Sequence, residues 1–119
     1  MPNARRGEVW QIDFGLAAKV RPALVLGCDI AEEDRVLVAA VYHTTALRGS
    51  RYEAPMDVPG LSTGGFDAQC LYTVPAVKLL RRRAVLSAIQ LRQVDDCRAL
   101  QGLGRRRAMT RLNYGLRSS

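Results

Sequence analysis

The sequence predicts a mainly β domain of the α+β class: five to seven short strands curled into a small barrel-like sheet, with one C-terminal helix packed on it. Apolar runs of strand length recur between turn residues from Glu8 to Leu86. The run Arg35 to His43 is apolar on both faces, which places it in the middle of a sheet. A three-residue apolar period appears once, after Ser87, and predicts the helix. At 119 residues the chain holds a single core.

Each element has a local reason. Glu8 to Phe14 alternates apolar and polar residues between Gly7 and Gly15, as a half-buried strand does. Leu16 to Val20 is a short loop. Ala23 to Cys28 is a continuous apolar run, with Pro22 at its opening, where no ladder donor is needed. Ala31 to Asp34 reads as a solvated turn before Arg35 to His43. After a loop over Thr44 to Tyr52, Glu53 to Asp57 is a weak strand, and Pro59-Gly60 with Gly64-Gly65 brackets a flexible turn. Gln69 to Val74 is a further strand closed by Pro75, and Val77 to Leu86 a twisted strand carrying Arg81-Arg82-Arg83. Ser87 and Gln90 form a capping box, and Leu86 can staple onto Leu91. Leu91, Val94, Cys97, Leu100 and Leu103 then line one helical side until Gly102 and Gly104 end it.

Charge narrows the partners. The formal net charge is +7 and the pI about 10.0, which suits a polyanion. Through Gly104 the chain carries 13 Lys and Arg against 11 Asp and Glu, so the body is near neutral. Residues 105–119 add five Arg and no acid. The organisation expected is a globular domain over 1–104 and a basic tail over 105–119 able to bind nucleic acid by itself. Three cysteines, Cys28, Cys70 and Cys97, with no C-x-x-C spacing, argue against a disulfide framework and a Cys zinc site. No apolar run approaches the length of a membrane span, and no apolar segment follows the polar start. A cytoplasmic protein with no membrane contact is expected.

Two stretches carry the chemistry. Arg21-Pro22-Ala23-Leu24-Val25-Leu26 and Thr44-Thr45-Ala46-Leu47-Arg48-Gly49-Ser50-Arg51-Tyr52-Glu53 each put phosphate-holding groups at the end of an apolar run. Arg21 is a fixed cation with forked donors, and the alternative is a surface Arg at a strand start. Thr44 and Thr45 offer hydroxyls or are ordinary β-branched strand residues. His43 is the one side chain with a near-neutral reference pKa, but alternation points it away from Thr44, and a satisfied structural His is the plain alternative. Lys19, Arg48 and Arg51 cradle flanking phosphates or belong to a solvated loop. Tyr52, Phe66 and Tyr72 stack bases or pack the core. Trp10 is a core or dimer contact, and Arg81 to Arg83 form a solvated face or touch a partner.

With these elements in place the chain resembles the MazF/PemK family of toxin-antitoxin endoribonucleases. The resemblance runs from Arg6 to about Gly104. Its parts are Arg6-Gly7-Glu8-Val9-Trp10-Gln11-Ile12-Asp13-Phe14, the Arg21-Pro22-Ala23 strand, Thr44-Thr45-Ala46-Leu47-Arg48-Gly49 with Tyr52-Glu53, Asp67-Ala68-Gln69, and Leu86-Ser87 opening a helix. Two features depart from the pattern. The loop before Arg21 is short and holds Lys19 where members often carry an acidic residue, and Ala68 interrupts an Asp-Gln pair. The resemblance implies an SH3-like, PemK-type barrel acting as a homodimer on single-stranded RNA without metal or cofactor, restrained by a cognate antitoxin. It implies attack of a 2′-hydroxyl on the neighbouring phosphorus, leaving a 2′,3′-cyclic phosphate and a 5′-hydroxyl.

On that reading Arg21 stabilises the developing charge and Thr44 binds the scissile phosphate. Lys19, His43, Thr45, Arg48, Arg51 and Gln69 bind RNA around them. An antitoxin segment would be acidic and extended, competing for the same groove. Two alternatives remain. A gyrase-directed toxin of the same fold depends on a Trp near the C-terminus, whereas the only Trp here is Trp10. A non-catalytic nucleic-acid-binding barrel would draw its affinity from the tail.

Overall fold

The computed structural model describes residues 4–15, 19–30, 36–69 and 71–99. Seven strands follow in order: β1 (Glu8–Asp13), β2 (Val20–Ile30), β3 (Val36–Thr44), β4 (Glu53–Met56), β5 (Gly64–Asp67), β6 (Tyr72–Pro75) and β7 (Leu79–Val85). A 3-10 turn over Ala76–Lys78 joins the last two. Helix α1 is described over 88–99. The strands form one curled antiparallel sheet in the order β4-β5-β3-β2-β1-β7, with β6 beside β3. The mainly β class, the strand number and the C-terminal helix agree with the sequence.

The central strand is the long apolar one. β3 pairs with β2 along one edge and on the other changes partner, from β6 over Leu37 to Ala40 to β5 at His43 and Thr44. That change of partner bends the sheet where Thr44 sits. Period-two alternation divides the core into two clusters. Val9, Leu24, Val41, Phe66 and Leu86 pack with Val94 of α1 on one side of the sheet. Ile12, Ala23, Val25, Val38, Ala40 and Leu79 pack on the other, with Trp10 and Phe14 against them. Trp10 thus serves as a flank of this second core, its indole N–H donating to Glu8 Oε1 at 2.9 Å.

The helix start follows the sequence. The Ser87 hydroxyl accepts the Gln90 amide at 3.1 Å, and Gln90 Oε1 accepts the Ser87 amide at 3.0 Å. The Gln90 side chain also donates to the Asp57 carbonyl, tying the helix to the loop after β4.

Three expectations need correction. Val20 begins β2, so Pro22 lies inside the strand. It is tolerated because β3 pairing starts only at Ala23, leaving Pro22 opposite Gln11 of β1 alone. Gly64 and Gly65 are no turn; both are buried in β5. A Cβ on Gly64 would fall 2.1 Å from the Thr44 carbonyl oxygen, and one on Gly65 2.5 Å from that of Ala54. Close backbone approach is what requires glycine there. The strand expected from Gln69 begins at Tyr72, since the Gln69 amide closes a turn on Asp67 Oδ1. The turn at Ala31 to Asp34, residues 16–18, Cys70, Leu100 to Gly104 and the tail over 105–119 lie outside the described residues. Among the described residues no helix is long and apolar enough to cross a membrane.

Candidate active site at the end of the central strand

Register brings Arg21 and Thr44 together. Ala23 of β2 faces Tyr42 of β3, so the next same-face positions, Arg21 and Thr44, flank that pair. They line two adjoining clefts. The larger, about 440 Å³, is bounded by Arg21, Pro22, His43, Thr44, Thr45, Ala46, Leu61, Ser62 and Arg83. The smaller, about 300 Å³, is bounded by Arg21, Tyr42, Thr44, Ala46, Arg48, Glu53 and Asp67. Their linings differ in charge: two guanidiniums and hydroxyls in the first, two carboxylates and two guanidiniums in the second.

Thr44 is held ready to donate. Its Oγ1 accepts the Ala46 amide at 3.0 Å, which sets the rotamer and leaves the hydroxyl hydrogen for an anion. The loop beyond is organised by Glu53, the last residue of the Thr44 to Glu53 stretch, whose role the sequence pattern does not reveal. The Glu53 side chain is 3% exposed and accepts the Arg48 amide on both oxygens, at 2.9 and 3.1 Å, and the Ser50 amide at 2.9 Å. The Ser50 amide foremost, then those of Arg48 and Gly49 with the Arg48 guanidinium, hold this carboxyl below its ordinary range despite burial. A charged acceptor under the loop thereby shapes the floor of the smaller cleft. Arg48 itself is two-thirds exposed, 3.8 Å from both Glu53 and Asp67.

His43 lies on the other side of the strand, as alternation requires. It is 5% exposed, meets Phe66 edge-on at 5.2 Å, and its buried Nε2 has no hydrogen-bond partner. Burial foremost, then the Arg21 and Arg83 charges, push its pKa below the ordinary 6.5. These causes all favour the neutral ring at the edge of the cleft. Phe66 is wholly buried core.

The arginine run on β7 divides by partner. Arg82 donates to Glu8 Oε2 at 3.2 Å, while Arg83 is held by Gln11 Oε1 and the Gly60 carbonyl at 2.9 Å and lines the larger cleft opposite Arg21. Arg83 thus lines the cleft, a placement that three adjacent arginines do not reveal in the sequence. The pairing of β1 with β7 sets it there, through contacts over 70 residues apart in the chain. Arg21, His43, Thr44 and Thr45 share the larger cleft, and Arg48 joins Arg21 and Thr44 in the smaller. Lys19, Arg51 and Gln69 line neither. Lys19 has φ 60° and donates its amide to the Gly15 carbonyl at 2.6 Å, Arg51 lies over the Tyr52 ring at 5.5 Å, and Gln69 is exposed beside Asp67. Among the described residues no three His, Cys, Asp or Glu side chains group as metal ligands.

The fold has solved counterparts. A mycobacterial endoribonuclease in complex with its cognate antitoxin superposes with a TM-score of 0.71 at 22% identity, over 86% of this chain and 96% of its own. The Mycobacterium tuberculosis toxin MazF-mt6 gives 0.67 at 24% identity, over 80% and 95%. MazF from Deinococcus radiodurans gives 0.64 at 18% identity, over 83% and 96%. At these identities the likeness is one of fold. A comparison with curated proteins gave no match. The model of the PemK-like, MazF-like toxins of type II toxin-antitoxin systems matches residues 5–101, all seven strands and the described helix, and the chain belongs to that family.

Proposed function

We propose that this toxin is a sequence-specific, metal-independent endoribonuclease that cuts single-stranded RNA by attack of a 2′-hydroxyl on the adjacent phosphorus. The products are a 2′,3′-cyclic phosphate and a 5′-hydroxyl. The observation that carries the reading is the meeting of Arg21, Arg83 and the Thr44 hydroxyl at one cleft whose lining includes no carboxylate. Charge on a phosphorane needs fixed donors, and these are supplied from three strands of one hydrogen-bonded sheet. Arg21 stabilises the developing charge, and Thr44 binds the scissile phosphate. Arg83 completes the cradle from the far wall. Thr45, Arg48 and His43 line the path of flanking nucleotides, with Lys19, Arg51 and Gln69 as outlying contacts to the strand.

An antitoxin segment, acidic and extended, would occupy the same cationic cleft and exclude RNA. The solved mycobacterial neighbour in complex with its cognate antitoxin supports an antitoxin as partner. A homodimer is consistent with the exposed apolar side chains Val77, Leu80 and Val85 around β7, which a second copy would cover. Residues 105–119 add five positive charges that raise RNA affinity without choosing the cut.

The test is incubation of the purified protein with RNA of varied sequence in EDTA. Discrete cuts are expected, and none in matched DNA. The cut site is then 2′-O-methylated. Cleavage of the methylated strand would overturn the mechanism, and an absence of discrete cuts would leave a binding module.

A further inference from the structure

The Arg21 guanidinium makes no ion pair or hydrogen bond among the described residues, yet it is held. Its Cζ lies 4.1 Å from the centroid of the Tyr42 ring. Tyr42 is stacked on Tyr72, with centroids 4.1 Å and planes 11° apart. Phe14 meets Tyr42 edge-on at 4.7 Å and Tyr72 at 5.8 Å. The sheet register builds this column. Ala23 pairs with Tyr42 and Ala40 with Tyr72, so Arg21, Tyr42 and Tyr72 are diagonal neighbours across β2, β3 and β6 on one face.

An arginine can be fixed through its edge or through its face. A carboxylate takes up N–H donors, as Glu8 Oε2 takes that of Arg82 Nη1, and leaves fewer for a ligand. An aromatic ring engages the face of the guanidinium plane and leaves the in-plane N–H groups open. We propose that Tyr42, braced by Tyr72 and Phe14, is the positioning residue that presents the unshared donor fork of Arg21 to a phosphate of the RNA. The proposal rests on the ribonuclease reading of the cleft, and it deepens that reading by naming what aims the cation. The phenolic oxygen has no part in it, so ring and hydroxyl are separable.

The experiment compares Tyr42→Leu with Tyr42→Phe in the full chain. Tyr42→Leu is expected to slow single-turnover cleavage at saturating RNA about tenfold, with half-saturation moved less than about twofold. Tyr42→Phe is expected to keep the wild-type rate. A structural loss alone would not sort the two variants in this way. A second readout needs no RNA: the Arg21 Nε–H proton should resonate upfield through the ring current of Tyr42, stay there in Tyr42→Phe, and move in Tyr42→Leu. Equal rates for Leu and wild type, or equal losses for Leu and Phe, would overturn the proposal. So would an unshifted Arg21 resonance in the wild type, which decides the matter even if Tyr42→Leu fails to fold. A wild-type protein that cuts no RNA would instead refute the ribonuclease reading, while the resonance still judges the stack.

Discussion

Gly64→Ala tests whether the corner that holds Thr44 depends on the approach of β5. The new Cβ would lie 2.1 Å from the Thr44 carbonyl oxygen and 3.0 Å from both the Thr44 carbonyl carbon and Thr45 Cα. Ordinary contact begins at 3.4 Å, so the first of these must open by 1.3 Å, the difference of the two distances. Both sides of the contact are backbone, so no side chain can swing away. The ladder joining β3 to β5 has only two residue pairs, His43 with Phe66 and Thr44 with Gly65, and such an opening breaks it. Overpacking costs about 1–3 kcal/mol and each lost ladder bond about 1 kcal/mol net, so a destabilisation of at least about 3 kcal/mol is expected. Thr44 moves with its carbonyl, and a displacement near 1 Å at a positioned group lowers the rate about 100-fold. Urea unfolding measures the first effect and single-turnover cleavage the second. Gly27→Ala is the control: nothing lies within 4 Å of its Cβ, and stability should change by less than about 1 kcal/mol. A Gly64→Ala protein as stable and active as the control would refute the reasoning.

Four further outcomes follow from the site. Arg21→Ala should lose about 3 kcal/mol of transition-state stabilisation with RNA binding reduced much less, and Thr44→Val should lower turnover in the same single-turnover assay. Arg83→Ala should slow cleavage about tenfold, whereas Arg82→Ala should leave the rate unchanged and cost stability by about 0–1 kcal/mol, its ion pair being half exposed; a reversed order in kinetics and urea melts would reassign the arginine run. His43→Gln should keep most activity and add no limb to the pH–rate profile. Because the folded protein holds His43 below 6.5, the unfolded chain binds the extra proton first. Wild-type stability should therefore fall as pH drops below about 6.5, and the Gln variant should lack that decline in melts taken across pH. Glu53 is depressed in the folded state, so its contribution is whole above 4.5 and is lost as pH falls through the folded value; protection of the Arg48 and Ser50 amides against exchange, relative to their intrinsic rates, should fall there, and in Glu53→Gln at every pH.

Local periodicity and short-range hydrogen bonding control the features that are legible in the chain alone. The apolar run into His43 defined the central strand, alternation separated His43 from Thr44, and the Ser87 and Gln90 box set the helix start. Arg21 and Thr44 were legible as a pair because each ends an apolar run at a strand that the fold places side by side. Tertiary structure decided everything that depends on a neighbour distant in the chain. Gly64-Gly65 suits a turn as well as a close approach, and only the position of β3 and β4 chooses between them. Three adjacent arginines look alike in sequence, yet Glu8 takes Arg82, Gln11 and Gly60 take Arg83, and the pairing of β7 with β1 does the sorting. Tyr42 reads as one more strand residue until register sets it beneath Arg21 and against Tyr72. Side-chain alternation is a property of one strand, whereas a cation aimed across three strands is a property of their register.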